Sequence, residues 1–181
     1  MTPRLALLRH LWLDAADARH RLGRRTLHHL EARVRDSERR HTGEICLCVE
    51  ASLPLSYLWR HLRYREPLAE VVRERALALF GKLRVWDTEL NNGVLIYLQL
   101  AEHRIEIVAD RGLARHVTEE DWERLLSGMR DDFRGGRYED GLGRAIDAVS
   151  AALEQHFPRP PGPDEAGEER ANQLPDQPVI R

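Results

Sequence analysis

Val94-Leu95-Ile96-Tyr97-Leu98-Gln99-Leu100, followed after Ala101-Glu102-His103 by Arg104-Ile105-Glu106-Ile107-Val108, is the stretch on which the fold turns. The first segment is apolar on both alternations, as a strand covered on two faces must be. The second alternates polar and apolar, and the link is short enough to close an antiparallel hairpin. Upstream, Glu44-Ile45-Cys46-Leu47-Cys48-Val49 forms another strand, with Ile45, Leu47 and Val49 on one side and Cys46 and Cys48 on the other. Neither side is strongly polar, so this strand also belongs inside a sheet flanked by helices. Between the two, residues 67–81 place Leu68, Val71, Val72, Leu79 and Phe80 at helical spacing, with Pro67 suited to the first turn. Residues 52–66 read as irregular, with one helical turn at most. A single crossover helix would make the strands at 44–49 and 94–100 parallel.

Outward from this centre the pattern is helical. A short helix is predicted over 3–12 and a longer one over about 24–40, whose Leu27, Leu30 and Val34 share a face. Thr118 is a good N-cap, with Asp121 three residues on, for a helix running to about 133. Gly135-Gly136 breaks the chain before a last helix over 138–157, carrying Leu142, Ile146, Val149 and Leu153. The expected fold is α/β, a three-layer αβα sandwich with a small mixed sheet and helices on both faces. It would be one domain over 1–157, with 1–23 as a helical extension. Residues 158–181 hold six of the nine prolines and have linker composition.

Composition narrows the function classes. The chain has 181 residues, 42% of them hydrophobic, and a net charge of −2, so the total charge points neither to nucleic acid nor to an anionic surface. Of its 28 basic residues only Lys82 is a lysine; the arginines are spread along the chain, as codon bias would leave them. No apolar run approaches the ~20 residues of a membrane span. The run 5–13 is interrupted by Arg9 and His10, unlike a secretory leader. Cys46 and Cys48, two apart on one strand, give no disulfide framework, and the expected location is the cytoplasm.

With the strands at 44–49 and 94–100 parallel and the third antiparallel, three loops meet at one sheet edge. They bring Thr42, Gly43 and Glu44, then Asp87, Thr88, Glu89, Asn91, Asn92 and Gly93, then Asp110, Arg111 and Gly112. Oxygen-rich loops of this kind suit a hard cation, Ca²⁺ or Mg²⁺, with Asp87, Glu89, Asn91, Asn92 and Asp110 as candidate ligands and Thr42, Glu44, Gly93, Arg111 and Gly112 in support. The plainer reading makes Asn92-Gly93 a turn needing positive φ, pairs Asp110 with a nearby arginine and makes Asp87 a local cap.

Residues 85–97, from Val85-Trp86-Asp87 through Asn91-Asn92-Gly93 to Tyr97, joined to Ile105 through Leu113, resemble the TPM-domain family. So do Thr42-Gly43-Glu44, Phe133-Arg134-Gly135-Gly136, Tyr138 and Gly141-Leu142, so the likeness spans roughly 25–155. A tail like Asn172-Gln173-Leu174-Pro175-Asp176-Gln177-Pro178-Val179 is similar to that of a short bacterial subgroup, which implies that 172–180 dock rather than float. The resemblance implies an αβα sandwich. It also implies that some relatives are weak acid phosphatases and that some bind a divalent metal through apical loops. Many members carry a signal peptide and membrane anchor, neither of which this sequence shows. The family commonly has Asp before the Asn-Gly turn where this chain has Asn91, which removes one anionic ligand.

Other constellations read as structure. Cys46 and Cys48 lack partners at zinc spacing and fit a core, and His28-His29 diverge on a helix. Residues 19–41 hold eight arginines against three acids, a candidate basic patch through Arg33, Arg35, Arg39 and Arg40, but no interleaved aromatics for base stacking. Asp131-Asp132 would sit unfavourably near a helix C-terminus. No nucleophile triad, phosphate loop or nucleotide fingerprint is present, and no catalytic residue is assigned. Three functions follow in order. The first is a non-enzymatic interaction module binding an unknown protein partner, with a divalent cation, through the loop edge. The second is a weak metal-dependent phosphatase, and the third a basic-helix binder of RNA or acidic protein. Nucleic acid is not the expected partner.

Overall fold

The computed structural model describes His10, residues 13–160 and residues 173–181. The helix expected over 3–12 lies outside the described residues, His10 excepted. The first described helix, α1 (Ala15–Glu38), opens on a capping box between Asp14 and Asp17 and breaks at Gly23, whose φ of 75° and ψ of 150° are not helical. It is two helices joined at the residue where the sequence separates extension from domain.

Strand β1 (Glu44–Glu50) pairs parallel with β2 (Gly93–Gln99), Ile45 opposite Val94 and Val49 opposite Leu98. Strand β2 pairs antiparallel with β3 (Arg104–Ala109). A fourth strand that periodicity did not reveal, β4 (Val179–Ile180), lies parallel to the other side of β1, giving the order β3-β2-β1-β4. The end of the tail is therefore docked. It also covers an edge of β1 that would otherwise present unpaired backbone groups.

Residues 52–66 are not irregular: α2 (Leu55–Tyr64) follows Pro54 and ends at Arg65 in the left-handed region, φ 56°. This second helix does not invert the crossover. It packs chiefly on α3 (Leu68–Lys82), and α3 alone runs back across β2 and β3, so β1 and β2 stay parallel. The helix expected to run to 133 is also divided. After α4 (Arg111–Ala114) come α5 (Glu119–Ser127), with the Thr118–Asp121 capping box, and α6 (Arg130–Arg134). At Gly128 the chain tightens, the Met129 amide donating to the Leu126 carbonyl three residues back. Asp131 and Asp132 thus lie in the first turn of α6, where acids suit the dipole, and the expected misfit at a C-terminus is absent. Helix α7 (Tyr138–His156) completes the domain.

The sheet separates two cores. Ile45, Leu47, Val49, Val94, Ile96 and Leu98 face α1 and α7 through Leu30, Val34, Leu142, Ile146, Val149 and Leu153. Cys46, Cys48, Leu95 and Tyr97 face α2 and α3 through Leu58, Val71, Val72, Ala76 and Leu79. Both cysteines are free and buried, and burial pushes their thiols up to about 11 and about 12, so they serve packing.

Candidate functional site

Each loop of the predicted edge is positioned by backbone. At the start of β2, Asn91 takes the left-handed conformation, φ 53°, and Gly93 does not. The glycine serves another purpose: a Cβ there would strike the Val85 carbonyl oxygen, so its absence lets the 85–92 loop fold flat against the strand. At the end of β3, Gly112 stands against the Asn91 carbonyl in the same way, and its amide donates to that carbonyl at 2.8 Å. Gly43 makes room chiefly for the Leu153 side chain, with the Asn92 carbonyl oxygen next to it. The edge is closely packed because Gly93 and Gly112 admit backbone, and Gly43 a leucine side chain, where a Cβ would stand.

The predicted ligands converge on this edge but do not form one empty nest. Asn92 is buried; its amide donates to Thr88 Oγ1 at 3.1 Å and its side chain to Thr42 Oγ1 at 3.3 Å. It ties the first loop to the second and has no freedom to turn outward. Asn91 Oδ1 accepts from Arg111 Nε and Nη2 at 2.8 and 2.6 Å. Asp87 pairs with Arg84 at 3.0 Å, and the Glu89 amide donates to Gln173 Oε1 at 3.0 Å. Asp110 is 8% exposed and caps α4, with Oδ1 accepting from the Arg111 amide at 2.7 Å. Its other oxygen, Oδ2, is buried and finds no hydrogen-bond partner among the described residues. Among the described residues no three His, Cys, Asp or Glu stand together as a ligand set. Trp86 and Leu90 are about half exposed in the same loop.

The tail crosses this edge. Gln173 meets the Glu89 amide, the Leu174 amide donates to Glu44 Oε2 at 3.4 Å, and Asp176 accepts from Arg35 Nε at 3.2 Å. Beneath Asp176 lies Glu38, whose Oε1 accepts from the Ile45 amide at 2.8 Å. Burial pushes Glu38 up to about 8, reinforced by the neighbouring charges of Glu44 and Asp176. Sequence reading missed this carboxyl cluster. Glu38 looked like one more surface acid of an arginine-rich helix, and nothing local signals that Asp176 returns to it.

The basic patch is internally compensated. Arg33 pairs with Asp147, Arg35 with Glu31 and Asp176, Arg39 with Asp36, and Arg40 with Glu154.

An αβα sandwich with glycine-packed apical loops at the amino ends of two parallel strands defines the class of small domains to which this protein belongs. The TPM-domain model matches residues 16–152, and the chain is a member of the TPM-domain family. The NMR structure of the BA42 protein from the psychrophilic bacterium Bizionia argentinensis is similar, with 23% identity, 87% of this chain and 93% of that one covered, and a TM-score of 0.64. The N-terminal domain of a protein from P. gingivalis matches at 18% identity over 75% of this chain and 78% of that one, with a TM-score of 0.47. No curated protein matches the chain. Among the described residues no helix is long and apolar enough to cross a membrane.

Proposed function

We propose that this chain is a non-enzymatic interaction module that holds a protein partner through the loop edge around Asp87, Asn92 and Asp110, with Ca²⁺ or Mg²⁺ bound at Asp110. The supporting observation is Asp110 Oδ2, a buried carboxylate oxygen with no hydrogen-bond partner among the described residues, at an oxygen-rich edge packed through glycines. Leaving a charged oxygen buried without a partner costs several kcal/mol, and a hard cation would offset that cost. The donor set fits weak binding. Asn91 Oδ1 becomes a second ligand only if Arg111 turns away, and Asp87 must leave Arg84. Trp86 and Leu90 beside it supply the apolar contact that a protein partner needs.

The test is a thermal melt of EDTA-stripped protein with and without millimolar Ca²⁺ or Mg²⁺, beside Asp110→Asn. Asparagine still caps α4, so only the charge is removed. At ~100-fold over the dissociation constant the ion should add about 2.7 kcal/mol, a rise of roughly 5–10 °C, lost in the variant. No rise with either ion overturns the cation. Hydrolysis of an aryl phosphate that disappears in Asp110→Asn would move the reading to a metal-assisted phosphatase.

A further inference from the structure

Helix α2 is held to the body by one side only. Leu58 is buried beneath it, while Leu55, Trp59 and Leu62 are 70%, 57% and 49% exposed. Their spacing of four and three residues puts them on one face, and among the described residues nothing packs there. Tyr64, also exposed, meets Trp59 edge-on at 5.9 Å. Single exposed leucines are ordinary; an aligned aromatic and aliphatic stripe on a ten-residue helix is not.

The charges carried by α2 itself are of one sign. Residues 51–65 contain Arg60, His61, Arg63 and Arg65 and no acid, in a chain whose net charge is −2. Arg60 is taken up by Glu66 and Glu74. Arg63 and Arg65 are exposed and make no ion pair among the described residues; Arg63 lies over the Tyr64 ring at 5.6 Å. Helix α2 also follows the carboxyl end of β1, so it stands at the opposite end of the sheet from the glycine-packed loops.

We infer that α2 is an interfacial membrane-binding helix that lays Leu55, Trp59 and Leu62 into an anionic lipid surface while Arg63 and Arg65 meet lipid phosphates. The occupant follows from the charge. A second copy of the chain meeting this face about a twofold axis would bring the unpaired Arg63 and Arg65 together, while the adjacent acids Glu66 and Glu74 are taken up by Arg60. An anionic bilayer instead offers negative charge without a fixed shape, which suits a convex helix that presents no groove. Trp and Tyr are the side chains that settle at headgroup level, and long arginines reach from an apolar footing to phosphate. Ten residues are too few to span a bilayer, so the helix lies in its plane.

The experiment is co-sedimentation of the full chain with phosphatidylcholine vesicles, and with vesicles that also contain phosphatidylglycerol. Binding is expected to the anionic vesicles and to weaken steeply with salt. Arg63→Ser/Arg65→Ser should weaken it by roughly tenfold or more, since each basic residue near an anionic surface is worth a factor of about five. Trp59→Ser/Leu62→Ser should abolish it. All four residues are exposed, and unchanged thermal melts would show that both variants fold. Equal binding to neutral vesicles, no binding to either, or anionic binding indifferent to both variants would overturn the assignment. So would sedimentation velocity showing a dimer that Trp59→Ser/Leu62→Ser dissociates, which would give the face to a second copy.

Discussion

At the scale of single residues, two positions are decided by what lies against them. Gly93 has ordinary strand geometry, yet any Cβ there meets a backbone carbonyl, and backbone cannot rotate aside as a side chain can. Gly93→Ala is expected to destabilise the domain by about 2–3 kcal/mol, whereas Gly81→Ala, inside α3 with open space around it, should stabilise it by about 0.5–1 kcal/mol through helix propensity; urea unfolding of the two variants measures the difference. Glu38 is decided by burial beside Glu44 and Asp176, which raises it to about 8 from an unfolded value near 4.5. From pH 4.5 to 8 the unfolded chain has released this proton while the folded one keeps it, so stability falls as pH rises through that window. His41 acts in a neighbouring range: burial lowers it from 6.5 to about 4, so its contribution, present above 6.5, is lost as pH falls towards 4. Between 6.5 and 8 the slope belongs to Glu38. Glu38→Gln should flatten it and make the variant more stable than the parent at pH 8 by on the order of a few kcal/mol, read by denaturant melts at both pH values.

At the scale of elements, the parts set by local periodicity were legible and the parts set by distant contacts were not. The alternation of Ile45, Leu47 and Val49 against Cys46 and Cys48 announces a strand with two covered faces, and the two cores divide along that line. The loops meet as expected, because one returning helix suffices to make β1 and β2 parallel. Helix α2 escaped notice because its pattern is mixed: Leu58 faces inward while Leu55, Trp59 and Leu62 face out, so the apolar residues do not form one inward stripe. At the site, residue types indicated the edge but not its wiring. Nothing local tells that Arg111 takes the oxygen of Asn91 or that Asn92 is spent on Thr42 and Thr88. Strand β4 is two residues long among prolines, below what alternation resolves. Its hold comes instead from Leu174, 7% exposed in the α2–α3 core, and from backbone bonds of Arg181 to Val49 and Ala51. Leu174→Ala should therefore cost about 2–3 kcal/mol and raise hydrogen exchange in β1; exchange confined to 179–181 would show that the tail stabilises nothing beyond itself.

At the scale of the whole molecule, the question is what holds α1 to α7, since that seam closes one outer layer of the sandwich over the sheet. Two features compete. On the surface, Arg33–Asp147, Arg40–Glu154 and His29–Glu139 bridge the helices, each pair roughly half exposed. Underneath, Leu30 and Val34 meet Leu142, Ile146, Val149 and Leu153, all essentially sealed from water. Exposed pairs are worth about 0–1 kcal/mol each and are screened by salt, whereas burying one such leucine contributes about 2–3 kcal/mol. The apolar seam therefore dominates, and the ion pairs mainly fix register and neutralise an arginine-rich helix that would otherwise attract polyanions. Two outcomes follow together. Molar sodium chloride should lower the stability of the parent by no more than about 1–2 kcal/mol, while Leu30→Ala should lower it by about 2–5 kcal/mol at any ionic strength. The same compensation predicts little retention on heparin at physiological salt for the parent and stronger retention for Asp147→Asn/Glu154→Gln, which frees Arg33 and Arg40. Tight, salt-sensitive retention that persists in Arg63→Ser/Arg65→Ser would mean that the arginines of α1 are available after all, and that this face binds polyanions in its own right.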